Sequence, residues 1–420
     1  AMSEKLAIFG GSRIISPEEA KFDWPKITSE VESAIIGQLH KSVSIYNRSG
    51  IFEEFENRFS SYHDRKKGLL FNSGTSAIYA MYEGLGLGPG DEVICPTYTF
   101  FATVSPLMST GARPIFCDCR EDGNINPDEI TRNITPKTKA VVVTHMWGIP
   151  CEMDAIQSIC SQHGLALLED CSHAHGASFG GQKVGTFGTA AAWSLQGQKI
   201  VSGGEGGILL TDSNEVFYRA LLWGHYNKRC KQEIPTNYHL AEFSQTGFGQ
   251  KFRAHPLAIA MANQQFSHLD EWIAQKTTYA QRLIKDLNDC SFLRMPECKN
   301  GQPSWYAFVM SFDEQAANGV TADKFIDALH AEGLVEVDLP RSTCPIHNLP
   351  LFCSPEKAMP RLYKSQPYDR KKFPNAERFY QTAIKIPVWA FPEDEGVVRA
   401  YIKGFKKVID VVSRRPELLR

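Results

Sequence analysis

The sequence predicts an α/β fold with a mostly parallel β-sheet flanked by helices, followed by a smaller α+β domain. Three observations support this prediction. Six short apolar runs recur between residues 91 and 212, and helical patterns separate several of them. Near His255 this alternation gives way to a long helical pattern. The runs at 140–146 and 165–170 are apolar throughout, as strands buried on both faces are. Strands that alternate with helices indicate a parallel sheet.

The elements of the first part follow in chain order. Residues 1–70 show no clear sheet pattern, although IFEEFENRF is typical of an amphipathic helix. The predicted strands are DEVICP (91–96), RPIFCDC (113–119), AVVVTHM (140–146), LALLED (165–170), AAAWSLQ (190–196) and GILLTD (207–212). Helical patterns follow Thr75 (SAIYAMYEGLGL) and precede Leu165 (MDAIQSICSQHG).

The second part begins with a long helical pattern, PLAIAMANQQFSHLDEWIAQKTTYAQRLIKDL, which has a proline in its first turn. It is followed by WYAFVMSF, the helix TADKFIDALHAEG with Thr321 as its cap, a proline-rich stretch from 340 to 375, and a final helix, EDEGVVRAYIKGFKKVIDVVS. We therefore expect a large domain of residues 1–265, which includes the N-terminal segment 1–70, and a small domain of residues 266–420.

The composition favours a cytoplasmic enzyme. A net charge of -2 gives no reason to expect nucleic acid or an anionic membrane as a partner. The 11 cysteines show no repeated CxxC spacing, and no signal-peptide pattern is present, so free thiols in a reducing compartment are expected. The apolar runs are far shorter than the roughly 20 residues that span a bilayer.

The segment FNSGTSA (71–77) lies directly before a helical pattern. Small residues at the start of a helix leave backbone N–H groups open to an anion, and the helix dipole favours negative charge there. An ordinary helix cap is the alternative. The segment is not a Walker loop, because no GK[ST] follows.

Polar and aromatic residues follow the predicted strands at the edge where ligands gather in parallel sheets. Asp170 ends a buried apolar strand, where a carboxylate is costly unless a cation or strong donor faces it. Such a partner could be a protonated pyridine nitrogen, and a capping role is the commoner alternative. Phe100 could stack on a flat ring or belong to the core. A zinc site of Asp170, His173 and His175 is disfavoured because no further ligand stands at a recognisable spacing.

Lys199 lies between Ser194 and the glycines at 203–204 and 206–207. As a reactive amine it would attack an aldehyde, and the glycines would leave room for a substrate. A surface lysine on a mobile loop is the alternative. An anion-binding turn, a strand-end acid, a stacking group and a lysine are together what pyridoxal phosphate requires, so we expect this cofactor.

The order of the motifs resembles that of the DegT/DnrJ/EryC1/StrS family of aminotransferases. The motifs are SGTSA, GPGDEV, PTYTFFAT, EDCSHAHGA, VGTFG, SLQGQK and GEGG. The resemblance runs from about Trp24 to the end and is weaker after residue 300. It implies the aspartate-aminotransferase fold (fold type I), pyridoxal 5'-phosphate as cofactor, and pyridoxamine 5'-phosphate as the form that exists between the two halves of the reaction.

The resemblance also implies a role for each matching residue. Lys199 would form the internal aldimine and move the proton, Asp170 would pair with the pyridine nitrogen, and His173 would contact the ring hydroxyl. These three are the predicted catalytic residues. The predicted cofactor-binding residues are Gly74, Thr75, Ser76, Phe100, Asp170, His173, Ser194 and Lys199. No metal ligand is predicted.

One segment departs from the family pattern. Family members commonly have an asparagine that reaches the phosphate in the neighbouring subunit, and GQKFRAHP has Lys251 at that place, or Gln250 if the alignment moves by one residue. Lys251 from the partner subunit is therefore included among the cofactor-binding residues. The resemblance implies a homodimer with shared active sites.

The expected function is transfer of an amino group from glutamate or glutamine to a keto group of a nucleotide-linked sugar, a cyclitol or a related intermediate. Two alternatives stay open: a dehydrating or aromatising enzyme of the aminohydroxybenzoate-synthase type, and a non-catalytic regulator that binds the cofactor. Candidates for contact with the acceptor are Lys183, Lys228, Arg229, Arg253, His145, Trp147, Tyr226 and His347. Each could equally have a structural role.

Overall fold

The computed structural model describes residues 4–367 and 371–420. The strands are β1 (Lys67–Phe71), β2 (Glu92–Pro96), β3 (Tyr98–Phe100), β4 (Arg113–Cys117), β5 (Thr138–Thr144), β6 (Ala166–Asp170), β7 (Ser178–Phe179), β8 (Gln182–Lys183), β9 (Ala190–Ser194), β10 (Gly207–Thr211), β11 (Leu293–Arg294), β12 (Gly301–Gln302), β13 (Phe308–Phe312), β14 (Thr343–Pro345) and β15 (Ala383–Ile386).

The α-helices are α1 (Ser29–Lys41), α2 (Gly50–Tyr62), α3 (Gly74–Gly84), α4 (Ser105–Met108), α5 (Pro127–Asn133), α6 (Met153–His163), α7 (Asn214–Gly224), α8 (Lys228–Glu233), α9 (Pro256–Phe266), α10 (Leu269–Leu287), α11 (Ala322–Ala331), α12 (Pro350–Cys353), α13 (Pro355–Ala358), α14 (Pro374–Thr382) and α15 (Glu395–Arg414). Short 3-10 helices occupy Ala7–Phe9, Phe101–Thr103, Met146–Gly148, Ala241–Gln245, Pro392–Asp394 and Pro416–Leu418.

The central sheet has seven strands in the order β1-β10-β9-β6-β5-β2-β4. All neighbouring pairs from β9 to β4 are parallel, and β10 is antiparallel to both β1 and β9. The prediction of an α/β fold with a mostly parallel sheet is thus confirmed, and all six predicted strands are present. Strand β1 was not predicted, because KGLLF is short and includes a lysine and a glycine.

The predicted long helix is two helices. α9 begins at Pro256, where the His255 side chain accepts a hydrogen bond from the Leu257 N–H at 3.2 Å. The helix ends at Phe266, and α10 starts at Leu269 after the polar pair Ser267 and His268. A hydrophobic pattern that continues across the break explains why the sequence suggested a single element.

A second core surrounds the antiparallel sheet β11-β13-β15. Apolar residues of α10, α11 and α15 pack there, and Leu6 and Ala20 from the N-terminal segment join them. Thr321 caps α11 as expected, accepting a hydrogen bond from the Lys324 N–H at 3.3 Å. The boundary between 265 and 266 remains a prediction.

Two further properties concern the whole described part of the chain. No helix within residues 4–367 and 371–420 is long and apolar enough to cross a membrane. All eleven cysteines lie in these residues as free thiols.

Candidate active site

A cavity of about 380 Å³ lies at the carboxyl-terminal edge of the central sheet. The neighbouring strands β5, β6 and β9 end at Thr144, Asp170 and Ser194, and all three of these residues line it. Gly74 at the first turn of α3 forms another wall. The sheet topology therefore brings an acid, two hydroxyls and a helix N-terminus to one place.

Asp170 is held by donors on both carboxylate oxygens. Thr103 Oγ1 donates to Oδ2 at 2.6 Å, and the Ser172 N–H donates to Oδ1 at 3.1 Å. The hydroxyls of Thr99 and Thr144 contact that of Thr103 at 2.8 and 3.0 Å. These bonds orient a buried carboxylate that still faces the cavity, which makes it suited to a cationic nitrogen of a ligand.

The start of α3 is packed too closely for any side chain at position 74. A Cβ on Gly74 would lie 2.5 Å from the Ser194 Cβ. Ser73 caps the helix by accepting a hydrogen bond from the Ser76 N–H at 3.0 Å. The first N–H groups of a helix have no acceptor inside it. Gly74 and Thr75 contribute two of them beside the Ser194 hydroxyl, and this arrangement is suited to a phosphate.

Lys199 lies in an ordered turn. Its N–H donates to the Gln196 carbonyl at 2.9 Å, and its own carbonyl accepts a hydrogen bond from Trp24 Nε1 at 2.7 Å. A Cβ on Gly203 would lie 2.4 Å from the Ala258 carbonyl oxygen, so this turn packs directly against α9. These contacts argue against the mobile-loop alternative.

The environment of the Lys199 amine favours its neutral form. Burial lowers its pKa to about 8; the charge of Asp170 opposes this change, and the charge of Lys385 adds to it. The Nζ atom lies 4.8 Å from the centroid of the Tyr306 ring. An amine with a pKa near neutrality is available as a nucleophile and as a base.

His173 lies between two aromatic rings. Its ring stacks on Tyr306 at 4.2 Å and on Trp147 at 5.5 Å. The backbone N–H of Trp147 donates to Nδ1 of His173 at 3.2 Å, so the proton of the neutral imidazole is on Nε2. Burial and the nearby Lys199 hold the pKa of His173 well below its usual range. His173 is thus a neutral hydrogen-bond donor.

The structure brings most of the predicted site residues together. Those that line the cavity are Gly74, Thr75, Phe100, Asp170, His173, Ser194 and Lys199. Ser76 does not line it, because its hydroxyl donates to Asn72 Oδ1 at 2.7 Å within the helix cap. Lys251 is exposed and lies outside the cavity of its own chain. Its role toward a partner subunit stays a prediction.

Sequence reasoning missed several residues of the site. Lys385 on β15 and Tyr306 both line the cavity, and Thr103 lies directly behind it. Lys385 and Tyr306 come from parts of the chain far from the motifs, and no spacing pattern links them to Lys199. Thr103 could have been suspected from PTYTFFAT, because a buried threonine near an acid is a ready donor.

Several candidates for acceptor contact have structural roles. Arg229 is buried and donates to both carboxylate oxygens of Glu56, at 2.9 and 2.7 Å. His145 Nε2 lies 3.0 Å from Glu169 Oε1. His347 Nδ1 lies 2.7 Å from the Thr97 hydroxyl.

The remaining acceptor candidates differ in position. Trp147 lines the cavity, and its φ of 62° is unusual for a bulky residue, as happens at functional sites. The others lie outside the cavity lining; they are Lys183, Lys228, Tyr226 and Arg253.

His145, Glu169 and Cys171 form a buried cluster behind Asp170. The Glu169 oxygens also accept hydrogen bonds from the N–H groups of Gly185 and Phe187, at 2.8 and 3.0 Å. Nδ1 of His145 accepts one from the backbone. Because the polar atoms of His145 and Glu169 are satisfied in this way, the cluster is explained as a structural network.

Comparison with known proteins identifies the family to which this chain belongs. The model of the DegT/DnrJ/EryC1/StrS aminotransferase family matches residues 29–401. The chain belongs to that family. The resemblance inferred from the motifs is thereby confirmed, and so is the prediction of a pyridoxal-phosphate-dependent aminotransferase.

Relatives within the family act in polysaccharide and cyclitol biosynthesis according to their names. The spore coat polysaccharide biosynthesis protein SpsC of Bacillus subtilis is 31% identical over 366 residues, which are 84% of this chain and 90% of SpsC. The L-glutamine:2-deoxy-scyllo-inosose aminotransferase of Streptomyces kanamyceticus is 29% identical over 365 residues, 84% of each protein.

A solved structure supports the fold. The aminotransferase from Psychrobacter cryohalolentis superposes with a TM-score of 0.82 at 24% sequence identity, covering 94% of this chain and all of that one. The fold-type prediction made from the family resemblance is therefore confirmed.

Proposed function

We propose that this protein uses pyridoxal 5'-phosphate to transfer an amino group from glutamine or glutamate to a keto group on a cyclitol or a sugar. The observation that supports this most strongly is the meeting of Lys199 and Asp170 in one cavity beside the N-terminus of α3. The proposal also agrees with the cyclitol and polysaccharide names of the relatives. When bound, the cofactor would supply an electron sink for the substrate carbon.

The residues of the cavity fit such a group. Gly74, Thr75 and Ser194 would hold its phosphate, since the close approach of Gly74 to Ser194 leaves backbone and hydroxyl donors without an intervening side chain. Asp170 would hold a proton-bearing ring nitrogen. His173 would donate from Nε2 to the ring hydroxyl, and Phe100 would cover the ring face.

Lys199 has two tasks in this proposal. It would attach the cofactor covalently through Nζ, and after release it would move the proton at the substrate carbon with the same atom. A pKa of about 8 supports both tasks, because an appreciable fraction of the amine is neutral near pH 7.5.

We further propose that the enzyme is a cytoplasmic homodimer in which Lys251 reaches the phosphate bound by the partner subunit. Lys251 is exposed on the segment after Gly249, and the next residue, Phe252, accepts a hydrogen bond through its carbonyl from the Asn72 N–H at 2.8 Å. This bond ties the segment to the turn before α3. The Lys251→Ala variant should lose cofactor affinity without loss of dimer, measured by absorbance titration and light scattering.

Borohydride trapping tests the role of Lys199. Reduction of the cofactor-loaded protein should fix the cofactor to the peptide that contains Lys199, and the Lys199→Ala variant should show no trapped peptide. Trapping on another lysine would contradict the proposal.

The reaction is tested by product balance. The wild type should release one 2-oxo acid for each amine formed when glutamine or glutamate is supplied with a panel of keto-cyclitols and keto-sugars, free and nucleotide-linked. Turnover of a cyclic ketone without release of the 2-oxo acid would instead indicate dehydration or aromatisation. Binding of the cofactor without any half-reaction would indicate a regulator.

A further inference from the structure

Lys385 is a second lysine in the active-site cavity. It belongs to β15 and projects into the cavity from the second core, opposite the central sheet. Its backbone is fixed by pairing with Asp338, whose carbonyl accepts a hydrogen bond from the Lys385 N–H at 2.7 Å. The Nζ atom lies 5.6 Å from the centroid of the Trp147 ring. A defined strand therefore positions this ammonium group.

The Lys385 ammonium has no anion of its own among residues 4–367 and 371–420. Burial lowers the pKa of Lys385, and the charges of Asp338 and Glu336 oppose this change. Both carboxylates have other donors. Asp338 accepts hydrogen bonds from Arg341 and from the Leu339 N–H, at 3.1 and 2.8 Å. Glu336 accepts one from the Phe22 N–H at 2.9 Å. A half-buried cation without a paired anion is costly unless a ligand supplies the anion.

Lys385 is the cation in the described lining of the cavity that is available to bind an anionic group. The described residues that line the cavity include two lysines, Lys199 and Lys385, and no arginine. Lys199 is the amine assigned to the chemistry, and His173 is neutral because burial lowers its pKa. An anionic group that enters the cavity from the side of β15 would therefore meet Lys385 as the one available ammonium in the described lining.

We infer that Lys385 binds the α-carboxylate of the amino-acid donor and so selects α-amino acids as donors over simple amines. This inference rests on the proposed function, which requires such a donor. An ammonium group binds a carboxylate through a charge-assisted hydrogen bond. The neighbouring Trp147 ring limits the position of the Lys385 ammonium. Ser342, which also lines the cavity, offers a hydroxyl as a second donor.

The experiment compares donors with and without the α-carboxylate. The amino acid that the wild type accepts, glutamine or glutamate, is measured against its decarboxylated analogue, 4-aminobutanamide or 4-aminobutanoate, in single-turnover half-reactions. We expect the Lys385→Met variant to lose roughly 10- to 100-fold in kcat/KM for the amino acid, as for one lost charge-assisted bond. The analogue should lose clearly less, because only the effect of Lys385 on the pKa of Lys199 acts on its reaction. Lys385→Arg should keep most of the preference. Lys403→Met, at an exposed position on α15, is the matched control.

A binding measurement separates this inference from the proposed function. Calorimetry with 4-carbamoylbutanoate, which has the carboxylate of glutamine but no amine, should give a Kd that rises by a similar factor in Lys385→Met alone. If the wild type reacts with no amino acid yet binds this ligand through Lys385, the proposed function fails and the anion site stands. If the wild type transaminates and Lys385→Met keeps its donor preference, the inference is wrong. Loss confined to the half-reaction with the ketone would also overturn it. Unchanged melting temperatures and cofactor absorbance exclude misfolding.

Discussion

Thr103 donates a hydrogen bond from Oγ1 to Oδ2 of Asp170 at 2.6 Å, and both side chains are buried. Thr103 itself comes from the short 3-10 helix that follows β3, whereas Asp170 ends β6. The bond therefore joins the 3-10 helix that follows Phe100 to the strand that ends at Asp170. Two separate motifs of the sequence meet in this one contact.

Replacement of Thr103 by valine should slow the half-reaction with the amino donor by roughly 10-fold or more. Valine keeps the volume but leaves Asp170 with only the Ser172 N–H as a donor, and hydrogen bonds to charged groups contribute about 1.5–3 kcal/mol. Trapping at Lys199 should persist, since that residue is unchanged. Stopped-flow absorbance measures the rate.

Thr144→Val is the matched control for this prediction. Thr144 contacts the hydroxyls of Thr99 and Thr103, and no hydrogen bond to Asp170 is recorded for it in the described structure. Its replacement should have a clearly smaller effect. Equal losses in the two variants would mean that the hydroxyl cluster as a whole matters, rather than the bond to Asp170.

The central sheet was predictable, because a buried parallel strand has its own local pattern. The strands that end at Asp170 and Ser194 were recognised in this way. The antiparallel direction of β10 was not predictable, because the pattern GILLTD fits a strand of either direction. Only the pairing of β10 with β9 shows its direction. Local patterns define elements, whereas pairing is a property of the whole fold.

The site was predictable only as far as its motifs extend. Asp170 and Lys199 follow strands of the central sheet and could be named from the sequence. Lys385 could not, because it reaches the cavity through the pairing of β15 with β13, about 190 residues further along the chain. The exposed-looking glycine turn at Lys199 was ordered by contacts with Trp24 and Ala258, which the sequence does not reveal.

Lys199 should react with amine reagents at a lower pH than an ordinary lysine. In the cofactor-free protein, burial sets its pKa at about 8 against the usual 10.5. The other groups that face it are Asp170, Lys385, the neutral His173 and the Tyr306 ring. Limited labelling with an amine-reactive reagent, followed by peptide mapping across pH 6–11, measures the midpoint.

Two variants test the cause of this lowered pKa. Lys385→Met removes a positive neighbour, so protonation of Lys199 becomes easier and the midpoint should move to higher pH. Asp170→Asn removes a negative neighbour and should move it to lower pH. Shifts in the same direction would show that at least one of the two charges does not act on Lys199 as described.

Arg229 should matter for stability and not for substrate binding. It is fully paired with Glu56 through two hydrogen bonds, and its Nε lies 2.6 Å from Glu233. Arg229→Met leaves the buried Glu56 with only the Nε of Arg48 at 3.1 Å as a cation, and it should cost up to about 3–5 kcal/mol in the free energy of unfolding. Lys228→Met, at the exposed neighbouring position, should change it by less than about 0.5 kcal/mol. Denaturant titration gives both values, and a small effect of Arg229→Met would contradict the prediction.

Lys276 should make the stability of the protein depend on pH. Its Nζ is buried and donates to the Val388 carbonyl at 2.6 Å, beside the rings of Phe22 and Trp24. Burial lowers its pKa from 10.5 to about 7, and the charge of Asp394 opposes this change. Between these two pKa values the unfolded chain binds more protons than the folded one, so a rise in pH favours folding.

The Lys276→Met variant isolates this dependence. The free energy of unfolding of the wild type minus that of the variant should increase from pH 7 to pH 9, by up to about 1.4 kcal/mol per pH unit. Other groups that titrate in this range, such as Lys199, are present in both proteins and cancel in the difference. Urea titrations at four pH values provide the comparison. A difference that stays constant would mean that the folded protein keeps Lys276 charged, which the burial of its ammonium group argues against.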